Sequence, residues 1–308
     1  MSAALRRLLL LAALLLFLFF GDVPERSRFW SAFFDAGHTA LFGVSALLIH
    51  GLLVGAGSRR ALLPAFVLTL VLGAATELVQ VVQRRGDPSV TDLLRDTAGA
   101  AAFLLILWAT KGSGARARRL LAVAAAVVIL FMAGWTLLST SAAYIARNRA
   151  FPTLFALDGS WWEGRFIELR HNTLTPGRRP AFGLPSGIGP LARLDLRPGR
   201  YSGISFREVY PDWRDRRQLV LTIASDLASP LPIAIRIHDA AHDQRYRDRF
   251  NRRLLVQPGV NRFVIPLDEV RHAPDRREME MRRVRGIVLF ASGLTRRTHI
   301  YLGPLILE

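Results

Sequence analysis

The chain has 308 residues, no cysteine, and 41 lysines and arginines against 24 acids, a net charge of +17. Without cysteine it can hold no disulfide and no thiolate-ligated metal. Lys111 is its one lysine, so the basic excess is arginine. That suits nucleic acid, anionic lipid headgroups or acidic envelope polymers, and is equally the mark of a GC-rich genome.

The composition changes near residue 147. Residues 1–146 hold long apolar stretches separated by short basic loops, and 147–308 hold no apolar run near bilayer length. A helix that crosses a bilayer needs about 20 mostly apolar residues. Five segments are expected to do so: residues 3–21, Phe33–Val54, Leu62–Val82, Val90–Ala109 and Leu120–Tyr144. The first is short, with an apolar run over Leu8–Phe20, and resembles a signal peptide in shape. It lacks a small-residue cleavage site, and Arg6 and Arg7 can snorkel to extend it, so an uncleaved helix is expected. Bases without acids collect at the N-terminus (Arg6, Arg7), the second loop (Arg59, Arg60) and the fourth (Lys111, Arg116, Arg118, Arg119). The first and third loops mix both signs. The positive-inside rule then predicts a cytoplasmic N-terminus in a plasma membrane and an extracytoplasmic 147–308 domain, away from nucleic acid.

With that topology, unusual polar residues gather at the outer helix ends. Asp35 and His38 open the second span, Glu77 and Gln80 close the third, and Ser89, Asp92 and Asp96 open the fourth. The spacings i, i+3 and i, i+4 put each group on one helix face. Ionisable groups at such depth are costly unless they pair or line a wet cavity.

The run "DAGHTALFG", then "ELVQ", an arginine-containing loop and "SVTDLLRDTAGA" resembles the VanZ-like membrane family over about residues 5–110. Carried over by position, the family's motif set is Asp35, His38, Glu77, Gln80, Arg84 or Arg85, Ser89, Asp92 and Gly99. Asp96 stands where many members have asparagine. The resemblance implies a link to glycopeptide tolerance of the teicoplanin type, without a defined mechanism. The residues themselves leave three readings open: an ionic network tying helix ends together, a pocket for a lipid-linked or envelope headgroup, or an acid–base site acting on a lipid-linked precursor. No nucleophile elbow, Walker loop or metal motif accompanies them, so binding is expected before catalysis, with no metal and no cofactor.

From Phe151 onward the texture is short runs with period-2 alternation. "RFIELR", "SGISFREV", "QLVLTIAS", "IAIRIHD", "RLLVQP", "RFVIPL", "GIVLFAS" and "HIYLGPLIL" read as strands, separated by turn signals such as "RPGR" and "QPGVNR". An antiparallel β-sandwich follows. The stretches "AIRIHDAAHDQRYRDRFNRRLLVQPGVNRFVIPLDEV" and "VRGIVLFASGLTRRTHIYLGPLIL" resemble the galactose-binding or carbohydrate-binding-module type of jelly roll. The resemblance implies an envelope glycan as partner. Gly303 stands where such modules often carry an aspartate near calcium. Candidate sugar-binding aromatics are Trp162 of the Trp161–Trp162 pair, and Tyr210 and Trp213 in the arginine-rich connection 207–217; each has a plain structural alternative as core or loop cap. His238, Asp239, His242 and Asp243 read as a solvated polar loop. The chain as a whole reads as a helical membrane domain carrying a β-sandwich, with envelope binding as its work and a purely structural role as the remaining alternative.

Overall fold

A computed structural model describes residues 1–20, 27–83, 90–111, 114–185, 188–189 and 191–308; for 17–20 and 80–83 it gives the helical backbone alone. The chain divides into two compact units, Met1–Ser141 and Ala142–Glu308. The division falls five residues before the change in composition, because the last turns of the fifth helix pack with the second unit.

Five long helices come first: α1 (Ala3–Phe20), α2 (Arg28–Gly55), α3 (Leu62–Gln83), α4 (Val90–Lys111) and α5 (Arg116–Ala150). Ser27 caps α2, its Oγ accepting from the Trp30 N–H at 3.2 Å. Asp92 in the first turn of α4 and Lys111 in the last both favour the helix dipole. Among the described residues, four helices (α2 to α5) are long and apolar enough to cross a membrane. Arg7 of α1 donates to the Gly51 carbonyl of α2 at 2.6 Å, so this arginine is held by the neighbouring helix.

Small residues fill the inside of this unit: Ala46, Ala65 and Ala100 are fully buried with Ile49 and Leu104. Large apolar side chains face outward, among them Leu63, Val71, Leu94, Val128 and Met132. Small residues at the contacts let the helix backbones approach closely. The approach is tightest between α2 and α4, where a Cβ on Gly99 would lie 1.9 Å from the Thr39 carbonyl oxygen.

The second unit holds eleven described strands: β1 (Thr153–Phe155), β2 (Ile167–Glu168), β3 (Thr173–Arg178), β4 (Leu191–Leu196), β5 (Gly199–Arg207), β6 (Gln218–Ser225), β7 (Leu231–Asp239), β8 (Phe250–Val256), β9 (Gly259–Pro266), β10 (Val284–Leu294) and β11 (Thr298–Leu307), with a short helix α6 (Leu267–Arg271) between β9 and β10. All pairings are antiparallel. One sheet runs β3-β4-β11-β6-β9 with β1 added on β11; the other runs β2-β5-β10-β7-β8. Strands β4 to β11 thus contribute β4-β11-β6-β9 to one sheet and β5-β10-β7-β8 to the other, which is jelly-roll wiring.

Alternation explains the sandwich. Leu219, Leu221 and Ile223 of β6 and Ile233, Ile235 and Ile237 of β7 turn inward and are buried, meeting Ile204, Phe206, Ile287, Leu289, Ile300 and Leu302. Each fully buried side chain of this kind contributes roughly 1.5–3 kcal/mol before the cost of ordering the chain. The end of α5 joins this core: Arg147 lies over the rings of Tyr144 and Phe166 at 4.7 and 5.5 Å and donates to the Glu208 carbonyl.

Candidate functional site

The α2–α4 contact brings the motif residues of the helical unit together. His38 Nδ1 lies 3.1 Å from Asp96 Oδ1, and Asp96 is only 1% exposed. Its second oxygen, Oδ2, has no hydrogen-bond partner among the described residues and sits against Gly73 of α3, whose absent side chain leaves it room. One residue earlier in sequence, Arg95 bridges two further acids, donating to Asp92 Oδ1 at 2.5 Å and Asp35 Oδ2 at 3.0 Å. Glu77 of α3 is half-buried and close enough to act electrostatically on both His38 and Asp96. Asp96, which departs from the asparagine of the motif, is therefore the buried partner of the histidine. The base that bridges the acids is Arg95; Arg84, Arg85 and Ser89 lie outside the described residues, as does the side chain of Gln80. Gly99 lies one turn beyond Asp96, so the closeness of the two backbones sets the His38–Asp96 distance.

In the β unit, the connection 239–248 departs from a solvated loop. Asp239 is 1% exposed and accepts from Arg277 NH1 and NH2 at 2.5 and 2.8 Å and from the Glu280 N–H at 2.7 Å. The same guanidinium reaches Asp248 at 2.6 and 3.0 Å. Burial raises the Asp239 pKa, but the Arg277 and Glu280 hydrogen bonds outweigh it, and the carboxyl lies below its usual range. Asp248 is held lower still, by its Arg277 hydrogen bonds first. His242, Asp243 and Asp248 present ligand atoms within 4.8 Å of one another, and Asp248 is also bonded to the Arg277 guanidinium that it shares with Asp239, so the group reads as an ionic knot that pins the connection. At Gly303 a Cβ would approach Thr222 Cβ to 3.0 Å, so the strand is close-packed there.

The expected sugar-binding aromatics need correction. Trp213 is completely buried, donating from Nε1 to the Tyr210 carbonyl at 2.7 Å; it anchors the 207–217 connection to the core. Tyr210 packs half-buried on Phe151, ring centroids 4.2 Å apart. Trp162 is buried against Phe155 and Phe166, whereas Trp161 is 61% exposed. The buried member of the pair is the one that was expected to bind. Trp162 and Trp213 thus present no open ring face to solvent.

The strand register instead defines a different surface. Residues paired across neighbouring antiparallel strands share a face. Since Phe206, Ile287, Ile237 and Phe250 form an inward row, the next row, Glu168, Ser205, Val288, Arg236 and Asn251, faces out. Arg207, Gly286 and His238 lie beside it on one side, and Gly203, Phe290, Ala234 and Arg253 on the other. Tyr201, 63% exposed, extends this face and meets Phe290 edge-on at 5.5 Å. Gly203 and Ala234 flank Phe290 on this face. The His238 ring lies over Gly286, and burial, then the neighbouring Arg236 charge, pushes its pKa down to about 3, so it is neutral at physiological pH. Sequence reasoning missed this surface. The alternate residues of "GRYSGISFR" and "IAIRIHD" carried it, but only the strand order brings them side by side.

No family model matches the chain and no curated protein matches it, so no comparison supports the expected resemblance to VanZ-like proteins. Among solved structures, the chain is similar to an exo-β-agarase at 12% identity and TM-score 0.36, covering 46% of this chain and 23% of that one. It is similar to a family 11 carbohydrate-binding module from Clostridium thermocellum, in complex with β-1,3-1,4-mixed-linked tetrasaccharide, at 12% identity and TM-score 0.34, covering 46% and 82%. A family 29 carbohydrate-binding module from Piromyces equi matches at 8% identity and TM-score 0.29, covering 46% and 79%.

Proposed function

We propose that this chain is a membrane-anchored envelope protein whose jelly roll holds a glycan on the outer face of the five-stranded sheet. The observation that carries this reading is the composition of that face. It is broad, carries several arginines and the Asn251 amide, and has an aromatic pair toward one end, Tyr201 with Phe290. Sugar recognition combines an aromatic surface for the ring with a few placed polar groups for its hydroxyls. In this reading α1 to α5 anchor the module in the plasma membrane, with the N-terminus cytoplasmic and the jelly roll extracytoplasmic. The VanZ-like residues Asp35, His38, Glu77, Asp92 and Asp96, together with Arg95, hold a lipid-linked or envelope headgroup at the outer helix ends, and the chain acts by binding.

The absence of cysteine makes the arrangement directly testable. Ala241→Cys, in the exposed β7–β8 connection, is expected to react with a membrane-impermeant maleimide in intact cells; Arg59→Cys is expected to react only after the membrane is opened. The reverse pattern would put the jelly roll in the cytoplasm and remove the envelope glycan as its ligand.

A further inference from the structure

The outer face of the five-stranded sheet is electrostatically one-sided. Arg207, Arg236 and Arg253 share it by register, Arg249 reaches it through a 3.0 Å hydrogen bond to Asn251 Oδ1, and Arg170 lies close enough to act on Arg236. Against these five stands Glu168, paired with Arg207 at 2.7 Å. Among the described residues no carboxylate pairs with Arg170, Arg236, Arg249 or Arg253. The charges that act on Arg236 are those of Arg249, Arg170 and Arg207. Its Nε is buried without a partner among the described residues, and NH2 lies 3.4 Å from His242 Nε2. His238, in the middle of the group, is neutral and supplies no compensation.

Like charges on adjacent strands of one face destabilise a sheet. Acids of the domain go to arginines elsewhere: Asp239 and Asp248 both go to Arg277, Asp212 to Arg214 and Asp195 to Arg193. Five arginines gathered on one face with a single acid, one of them with a buried unpartnered Nε, make a surface that an external anion completes. Guanidinium groups bind carboxylate and sulfate bidentately, which fixes orientation as well as charge. Arg236 and Arg249 are only partly exposed. A flat bilayer surface does not reach recessed groups; a single extended chain does. Tyr201 and Phe290 at one end offer a ring surface that a phosphate alone would not use.

We propose that this face takes an acidic glycan, with its carboxylate or sulfate groups on Arg207, Arg236, Arg249 and Arg253 and a sugar ring against Tyr201. This rests on the glycan reading above and adds the ligand's charge class to it.

The test uses full-length protein in phosphatidylcholine nanodiscs, titrated with polygalacturonate, dextran sulfate, neutral dextran, neutral mixed-linked β-glucan and duplex DNA. Expected is binding of at least one acidic glycan about tenfold or more tighter than either neutral one, weakening as salt rises. The double substitution Arg236→Gln/Arg253→Gln is expected to lose about tenfold or more, and Arg276→Gln, exposed in the α6–β10 connection, to lose nothing. Salt dependence is read on the unaltered protein, so the test survives a variant that fails to fold. If a neutral glycan binds as tightly as the acidic ones, the acidic assignment is overturned and the glycan reading stands. If no glycan binds, both fall. If duplex DNA matches the best acidic glycan, the face is a general polyanion surface and the assignment is overturned.

Discussion

Gly99→Leu is expected to abolish recovery of monodisperse protein from detergent. A Cβ at this position would sit 1.9 Å from the Thr39 carbonyl oxygen and 2.8 Å from its carbon. Those are backbone atoms of α2 and cannot rotate away, so α2 and α4 must separate. Overpacking a well-fitted interior costs roughly 1–3 kcal/mol even where side chains can move, and backbone obstruction exceeds that. Separation would also pull His38 from Asp96 and leave a buried carboxylate with no described partner, a further cost of roughly 1–3 kcal/mol. Gly37→Ala is the matched control. Nothing lies within 4 Å of its Cβ position, and alanine in a helix is favoured over glycine by roughly 0.5–1 kcal/mol. Yield and thermal midpoint of the two variants decide the matter. Normal recovery of Gly99→Leu would mean that α2 and α4 do not approach as described.

Arg277→Ala is expected to destabilise the jelly roll by about 3 kcal/mol at neutral pH, because removing one partner of a buried pair strands the other charge. Here it strands Asp239, whose side chain is fully buried, and removes the main partner of Asp248. The effect has a definite pH dependence. Both carboxyls lie below their ordinary pKa in the folded state. Their contribution is therefore complete above the unfolded aspartate value, about 3.9, and declines as pH falls through the folded values. The gap in thermal midpoint between the unaltered protein and Arg277→Ala is expected to be widest near neutral pH and to narrow below about pH 4. A gap that stays constant into acid would show that Arg277 acts through packing of its stem and not through its ion pairs.

The sandwich was legible in the sequence because its signal is local. The eight strands carried by period-2 alternation, from "RFIELR" to "HIYLGPLIL", all lie on strands β2 and β5 to β11. The misses have separate causes. β1 is three residues long, too short for a period. β3 contains Pro176 and Gly177, which read as a turn, and β4 alternates but lies between proline- and glycine-rich stretches. Jelly-roll wiring depends on long-range pairing, which no local pattern shows.

The sites were less legible. Spacing showed that Asp35 and His38 share a helix face, but not that His38 would turn to Asp96 while Asp35 took Arg95. Trp213 and Trp162 sat among charged residues, and large aromatics in a charged connection suggest a binding surface. The connection is instead held down by the aromatic itself, whose burial outweighs the polarity of its neighbours. The arginine face was hidden because its members come from three strands, β5, β7 and β8, and from the segments after β2 and before β8.

The glycan face is most directly tested by maleimide footprinting on the otherwise cysteine-free chain. Ser205→Cys and Ser292→Cys lie on the outer face of the five-stranded sheet, and Val264→Cys lies on β9 of the other sheet. Saturating polygalacturonate is predicted to slow labelling at the first two and leave the third unchanged. Protection at Val264→Cys alone, or equal labelling at all three with polygalacturonate bound, would contradict the account.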